Sequence, residues 1–457
     1  MQFFPLFLES YLTNEGIHRT EYLNHWIEER NSSLEVRISK ISLSECNPWF
    51  YDDVCGVIRN NSGCFFSVGA IRKKLGSVII EQPILIQKEI GYLGILCTVI
   101  DGVLHFLMQA KIEPGNINTI QISPTLQATK SNFTQMHGGS KPKYLDYFLH
   151  AKSDNLIVDQ IQSEQSSRFL GKRNRNVILF SHEYIEELDG YKWMTLGQIR
   201  QFLKKDNMIN MDTRTVLSCI PWSLLPLDID SPTSLVSEIV RTRIGKPRQH
   251  ELVKIYQYLN DYKMHLSPEI QSIPLSALEN WSFNPNELVK MGGQSQFKVI
   301  FCDITIEGRE VRHWKQPMFE SLGEALFGLI YTFVDKKLMI LVKGKAEIGC
   351  FDLIEIGPTV QMEYGESVQD SVEQQFMDLL CNKKEGIMID VIQSEEGGRF
   401  FHEQNRNVII ETDQWNDPLP EGYFWCSFAT LNYLIQINNC VNIQLRNLLA
   451  LLELVNE

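Results

Sequence analysis

The chain is written twice. Residues 161–178 read IQSEQSSRFLGKRNRNVI and residues 392–409 read IQSEEGGRFFHEQNRNVI, identical at 11 of 18 positions at a constant offset of 231. Upstream, Lys111 to Gln127 matches Lys345 to Gln361 at eight of 17 positions, at offset 234. Gln82-Pro83, Gly94 and Asp101 keep that offset to Gln316-Pro317, Gly328 and Asp335. Downstream, Tyr191, Trp193, Asn210 and Arg214 recur as Tyr423, Trp425, Asn442 and Arg446, at offset 232. Such near-constant offsets mark a duplicated domain, and the period is far too long for a solenoid unit.

Each copy carries short alternating runs with turn signals, the pattern of antiparallel strands. Leu93 to Ile100, then Asp101-Gly102, then Val103 to Met108 predicts a hairpin with an Asp-Gly turn. Phe327 to Val334, Asp335 to Lys337 and Leu338 to Val342 take the same place in the second copy. Helical spacing closes each copy: Leu196, Ile199 and Leu203 in the first, Leu431, Leu434 and Ile435 in the second. A last apolar stripe runs through Leu445, Leu448, Leu449 and Leu452. The pattern predicts two α+β repeats, each a mixed or antiparallel sheet flanked by helices. The expected boundaries are a helical N-terminal extension at 1–45, repeats at 46–222 and 276–457, and a connector at 223–275 holding an amphipathic helix.

The chain has 457 residues and a formal charge of −13. Acidity on this scale argues against a broad nucleic-acid surface, so a phosphate-bearing ligand must be met by a local cationic cluster. Ten cysteines include no C-x-x-C pair, and Cys46, Cys55 and Cys64 match no zinc framework. The apolar N-terminus is short, lacks a basic lead, and is interrupted by Pro5 and Glu9, a poor secretory signal. No run of about 18 apolar residues is present, so no membrane span and a cytoplasmic location are expected. No G-x-G-x-x-G follows a strand, and there is no P-loop, H-E-x-x-H or Nudix box. Neither a cofactor nor a metal is expected.

Three places carry candidate chemistry. The first is Arg168 to Asn176, with four cations in nine residues. Arginine presents a planar fork of donors suited to phosphate oxygens, although a run like this is also a common solvated face. Arg168, Asn174, Arg175 and Asn176 recur in the second copy, whereas Lys172 and Arg173 become Glu403 and Gln404. The second copy is therefore expected to bind a diphosphate poorly. The second place is the polar, glycine-bearing loop 131–148, with His137, Gly138-Gly139 and Tyr144, where the other copy has acidic, helix-compatible sequence instead, Glu366 to Asp370. The third is Glu164, recurring as Glu395, which is either a general base or a structural partner of an arginine. Asn210 or Asp212 is a natural N-cap for the helix that follows, and Arg214 is a candidate ligand contact.

At these motifs the sequence resembles the NDP-hexose 2,3-dehydratase family. The matching blocks are QAKIEPGNINTIQISPTLQATKSN (109–132), QSEQSSRFLGKRNRN (162–176), TLGQIRQFLKKDNMINMDTRTVLSCIP (195–221), and IGPTVQ with IQSEEGGRF in the second half. The resemblance implies two tandem Nudix-like α+β domains without the Nudix metal site, a homodimer, and one working pocket. It implies a TDP-linked 4-keto-6-deoxyhexose as substrate, which loses its C2 hydroxyl after C3 deprotonation to give a 3,4-diketo-2,6-dideoxyhexose for a downstream ketoreductase. Under that resemblance His137, Tyr144 or Glu164 moves protons, and Lys111 or Lys130 polarises the ketone. Arg168, Lys172 and Arg175 hold the diphosphate, with Asn176, Arg214 and Trp49 as further substrate contacts. Replacing Arg168 by Ala is then expected to raise KM. The competing readings are a non-catalytic nucleotide-sugar binding or regulatory protein and a metal-dependent nucleotide-sugar hydrolase.

Overall fold

The duplication is visible strand by strand in a computed structural model, which describes residues 3–63, 65–133, 141–224, 244–266, 268–292, 295–309, 311–368, 370–382, 385–413 and 418–454. In the first copy a seven-stranded sheet runs Leu156–Ser163, Arg173–Phe180, Gly91–Ile100, Val103–Ile112, Tyr191–Met194. Ile120–Ser123 and Leu126–Ala128 attach to its two central strands. The second copy repeats this order with Ile387–Ser394, Gln404–Glu411, Leu326–Val334, Lys337–Lys345 and Tyr423–Ser427, with Glu355–Gly357 and Val360–Met362 attached. Arg173–Phe180 lies parallel to Gly91–Ile100, and its apolar end, Val177 to Phe180, is buried. Both central hairpins form where the alternation predicts. Their turns need left-handed residues, met by Asp101 and Gly102 (φ 50° and 87°) and by Asp335 and Lys336 (φ 49° and 63°).

A smaller, mainly antiparallel sheet accompanies each copy, and here the copies exchange strands. Val36–Ile41 precedes the first repeat but pairs with Phe297–Ile306 of the second. Glu269–Ile273 precedes the second repeat but pairs with Ser67–Leu75 of the first. The stretch 1–45 is therefore not helical throughout: helices Phe3–Leu12 and Thr20–Ser33 are followed by this strand. Its sequence, VRISKI, alternates apolar and polar, which suits a sheet edge. The connector helix runs Gln249–His265, with Ile255 and Leu259 buried.

The exchange continues in the core. The equivalent helices Met211–Ser218 and Ile443–Leu451 pack on each other between the sheets. Arg214 is buried and reaches across: it donates to the Gln393 side chain and the Ser394 carbonyl at 2.8 and 2.7 Å. Arg446 answers by donating to the Ser163 carbonyl and to Thr215 Oγ1. The recurrent Arg214/Arg446 pair thus bolts the halves together, a correction to the expectation that Arg214 contacts ligand. One apolar cluster runs through both copies, from Phe7 and Leu23 to Leu445 and Leu448. Each fully buried Leu or Ile contributes roughly 1.5–3 kcal/mol, so the halves are stabilised jointly. No described helix is long and apolar enough to cross a membrane.

Candidate active site

The ends of several first-copy elements converge on one cavity of about 700 Å³. Lys111 stands near the end of Val103–Ile112, with Glu113 just beyond it. Gln127 comes from Leu126–Ala128, Glu164 follows Leu156–Ser163, and Lys172 and Asn174 flank the start of Arg173–Phe180. Asp212 lies in the first turn of Met211–Ser218. The cap of that helix is Asn210, whose side chain accepts from the Thr213 amide at 2.8 Å, so Asp212 is not needed as a cap. The second copy supplies Glu396 and Arg399, from the turn after Ile387–Ser394. Trp49, Phe65, Phe66 and Trp314 add an aromatic wall.

The carboxylates form a network at the floor. Lys111 Nζ donates to the Gln127 carbonyl at 3.2 Å, and Gln127 Nε2 donates to Glu113 Oε1 at 2.8 Å. Asn174 Nδ2 donates to Glu164 Oε2. Burial raises the Glu164 carboxyl above its ordinary range, opposed by the charges of Lys172 and Arg446. Burial pushes Asp212 well up, and the neighbouring Glu164, Glu113 and Glu396 push the same way. Its Oδ1 is buried with no hydrogen-bond partner among the described residues. Glu396 is pushed up to about 7 by burial and Glu113, against Arg399. Buried acids with such shifts at a cavity floor are suited to proton transfer near neutral pH.

Among the cations that line the cavity are Lys172 and Arg399. Arg399 places its guanidinium 4.2 Å from the Phe66 ring centroid and donates to the Gly398 carbonyl at 3.0 Å. Lys172 Nζ donates to the Glu89 carbonyl at 2.5 Å. Burial lowers the Lys172 ammonium, Glu164 opposes that, and Arg399 is close enough to add to the lowering. Aromatic side chains, cations and buried acids therefore line the same cavity.

The twin place in the second copy is built differently. There Arg168 occupies the position of Arg399, 4.3 Å from Phe297, the counterpart of Phe66. Arg168 is 1% exposed and pairs with Glu363 at 3.1 Å and Glu403 at 4.0 Å. The first copy has Thr129 and Lys172 where those glutamates stand. Among the described residues Arg399 makes no ion pair.

Comparison with known proteins fits this two-part construction. The sequence matches the family described as NDP-hexose 2,3-dehydratase twice, over residues 20–220 and 252–452. The chain belongs to the NDP-hexose 2,3-dehydratase family. It is 36% identical to a dTDP-4-dehydro-6-deoxy-alpha-D-glucopyranose 2,3-dehydratase of Streptomyces violaceoruber, covering 93% of this chain and 95% of that one. Enzymes of the same description from Amycolatopsis orientalis and Saccharopolyspora spinosa are 34% and 35% identical, over 96% and 97% of this chain and 91% and 93% of theirs. A solved structure titled as an ADP compounds hydrolase aligns with 35% of this chain and 84% of its own, at 14% identity and a TM-score of 0.19, too low to carry an argument.

In this dehydratase-family chain, four of the residues singled out from sequence meet at the cavity: Trp49, Lys111, Glu164 and Lys172. The others stand elsewhere, each for a local reason. Arg168 crosses to the second copy's site, because the turn that carries it is stitched to that half by Gly349 N to Ser166 O at 2.9 Å. Arg175 makes a two-pronged pair with Asp159 on the neighbouring strand, both bonds 2.6 Å, and Arg406 with Asp390 repeats it in the second copy. Its recurrence is structural. Asn176 is buried and donates to the Asn174 carbonyl at 3.1 Å. Tyr144 donates to the Glu186 carbonyl at 2.8 Å and accepts from the Leu188 amide at 2.7 Å, with its ring against Tyr191, so it anchors a loop. Lys130 is exposed and is not among the cavity residues. His137 lies outside the described residues.

Sequence reasoning gave no site role to Glu113, Asn174, Asp212, Glu396 or Arg399, and read Asp212 only as a candidate helix cap. A signal for two of them was available: at the repeat offsets Asp212 faces Gln444 and Glu396 faces Gln165, so a carboxylate in one copy is an amide in the other. The surface pair gives a check. Arg175→Ala is expected to leave turnover within about twofold and to cost less than about 1 kcal/mol, read by steady-state rates and a denaturant melt.

Proposed function

We propose that this chain removes water across C2 and C3 of a TDP-linked 4-keto-6-deoxyhexose, releasing a 3,4-diketo-2,6-dideoxyhexose still linked to the nucleotide. The observation that carries this reading is the meeting of aromatic side chains, cations and buried acids in one cavity. The aromatic wall accepts the base by stacking. Lys172 and Arg399, close enough for their charges to act on one another, meet the diphosphate. The acidic floor then lies at the hexose.

The C3 proton is acidic because the C4 ketone accepts the electrons as an enolate. Glu164 takes that proton; the charges of Lys172 and Arg446 favour its ionised form. Lys111 steadies the oxyanion at C4. The enolate then reforms the ketone as the C2–O bond breaks. Asp212, held protonated by burial and by three nearby carboxylates, gives its proton to the departing hydroxyl, which leaves as water. An enol across C2 and C3 remains and becomes the diketone.

The same reading takes each repeat as a Nudix-like domain, the protein as a cytoplasmic homodimer, and a ketoreductase as the consumer of the reactive product. The test is turnover. Purified chain given TDP-4-keto-6-deoxyglucose is expected to lose the C3 hydrogen to solvent and form a vicinal diketone. Tight binding without water loss would overturn the reading in favour of a non-catalytic nucleotide-sugar binder.

A further inference from the structure

The elimination leaves work undone that Glu164 and Asp212 do not cover. The first product is an enol with a C2=C3 double bond, and the ketone needs a new hydrogen on C2. Protonation at carbon is slow without a positioned acid, and such an acid is worth roughly 10²–10⁴-fold. A further acid lines the same floor, and it comes from the other half of the chain.

We propose that Glu396, from the C-terminal repeat, delivers the proton to C2 that turns the enol into the diketone. The inference rests on the elimination proposed above. In this step the Glu396 O–H bond breaks and a C2–H bond forms from the C2=C3 π electrons. The C3 hydroxyl loses its proton to solvent as C3=O forms, and Glu396 regains a proton from water.

Three observations carry the assignment. First, the turn bearing Glu396 is locked into the first copy's site. Gly397 O accepts from the Gly115 amide at 2.7 Å, two residues beyond Glu113. A Cβ on Gly397 would meet Asn116 Oδ1 at 2.2 Å and the Glu113 side chain at 2.9 Å, and one on Gly115 would meet Phe400 O at 1.6 Å. That approach is closed to larger residues. Second, Glu396 Oε1 accepts from the Gly398 amide at 2.9 Å, which aims the carboxyl, and the residue lines the cavity beside Asp212 and Glu164. Third, the twin position is Gln165, which the first copy supplies to the second copy's site and which cannot give up a proton in this way. There the amide donates to Glu403 at 3.3 Å and the turn keeps its shape, so the fold does not require a carboxyl here. The raised affinity of Glu396 for its proton suits a donor working near neutral pH.

The experiment follows hydrogen at two carbons. Wild-type chain and Glu396→Gln turn over TDP-4-keto-6-deoxyglucose in D2O, and the diketone is trapped at once with o-phenylenediamine and read by NMR. Wild type is expected to place deuterium at C2 in one configuration. In Glu396→Gln the deuterium is expected in both configurations, and diketone formation slows at least tenfold more than loss of the C3 hydrogen. Glu396→Asp, which keeps the acid but shortens its reach, is expected to restore part of the single configuration. A single configuration at the wild-type rate in Glu396→Gln would overturn the proposal. So would equal slowing of both steps, which would put Glu396 in the elimination instead. Failure of wild type itself to lose the C3 hydrogen would instead overturn the parent reading. A circular-dichroism melt run on each variant separates unfolding from chemistry.

Discussion

Asp212→Asn is expected to lower kcat by about 10²–10⁴-fold, the worth of one general acid. The change keeps the side chain's shape and removes its proton. The protein already holds an amide at the equivalent place, Gln444, at the start of the twin helix, so the fold should accept it. Folding is expected to hold or improve, because a buried carboxyl surrounded by Glu164, Glu113 and Glu396 is replaced by a neutral group. Dissociation of TDP, which meets Lys172 and Arg399 rather than the floor, is expected to change little. The pH dependence gives an independent reading. An acid must carry its proton to work, and the folded-state pKa of Asp212 is raised, so wild-type kcat should fall as pH climbs through that raised pKa, while the separate loss at low pH belongs to protonation of the base Glu164. In Asp212→Asn that falling limb should vanish from what activity is left. Unaltered kcat, or a retained alkaline limb, would remove Asp212 from the chemistry.

How much of this was open to reading from sequence follows from the range over which each signal acts. The hairpin at Asp101-Gly102 was legible because a left-handed two-residue turn is a local demand with a local answer. The duplication was legible because offsets need no structure. What offsets do not say is which copy a side chain serves. Arg168 and Arg399 sit at equivalent positions, and each crosses to the other half's site; the crossing is set by backbone pairing between Gly115 and Gly397 and between Gly349 and Ser166. Val36–Ile41 was hidden for the same reason, since its partner strand belongs to the other repeat. Asp212 was misplaced by a sound local rule: two cap-forming residues stand at one helix start, and only tertiary context assigns the cap to Asn210 and the cavity to Asp212. Arg175, Asn176 and Arg214 recur because strand pairing and the junction of the halves recur, which is a structural cause of repetition as strong as any site. In a duplicated chain, the positions informative about the site are those at which the copies disagree.

The two equivalent arginines make that point measurable. Arg399→Ala should leave the fold nearly intact, because its partners are the Phe66 ring and one carbonyl. It should raise KM for the nucleotide sugar by about 10–100-fold, since a charge-assisted hydrogen bond is worth roughly 1.5–3 kcal/mol and each 1.4 kcal/mol is tenfold. Arg168→Ala, which the sequence alone would place at the diphosphate, should do the reverse. Arg168 is 1% exposed, and its loss leaves Glu363 and Glu403 buried without their cation. Breaking a buried pair in this way costs about 3–5 kcal/mol, visible as a lowered midpoint in a urea melt. The folded fraction of Arg168→Ala should keep a KM close to wild type. Adding Glu363→Thr and Glu403→Lys, the residues found at those places in the first copy, should recover much of the lost stability by removing the stranded carboxylates. If Arg168→Ala raised KM while Arg399→Ala did not, the diphosphate would belong to the second copy's site. The charge inversion between Lys172 and Glu403 would then have been read with the wrong sign.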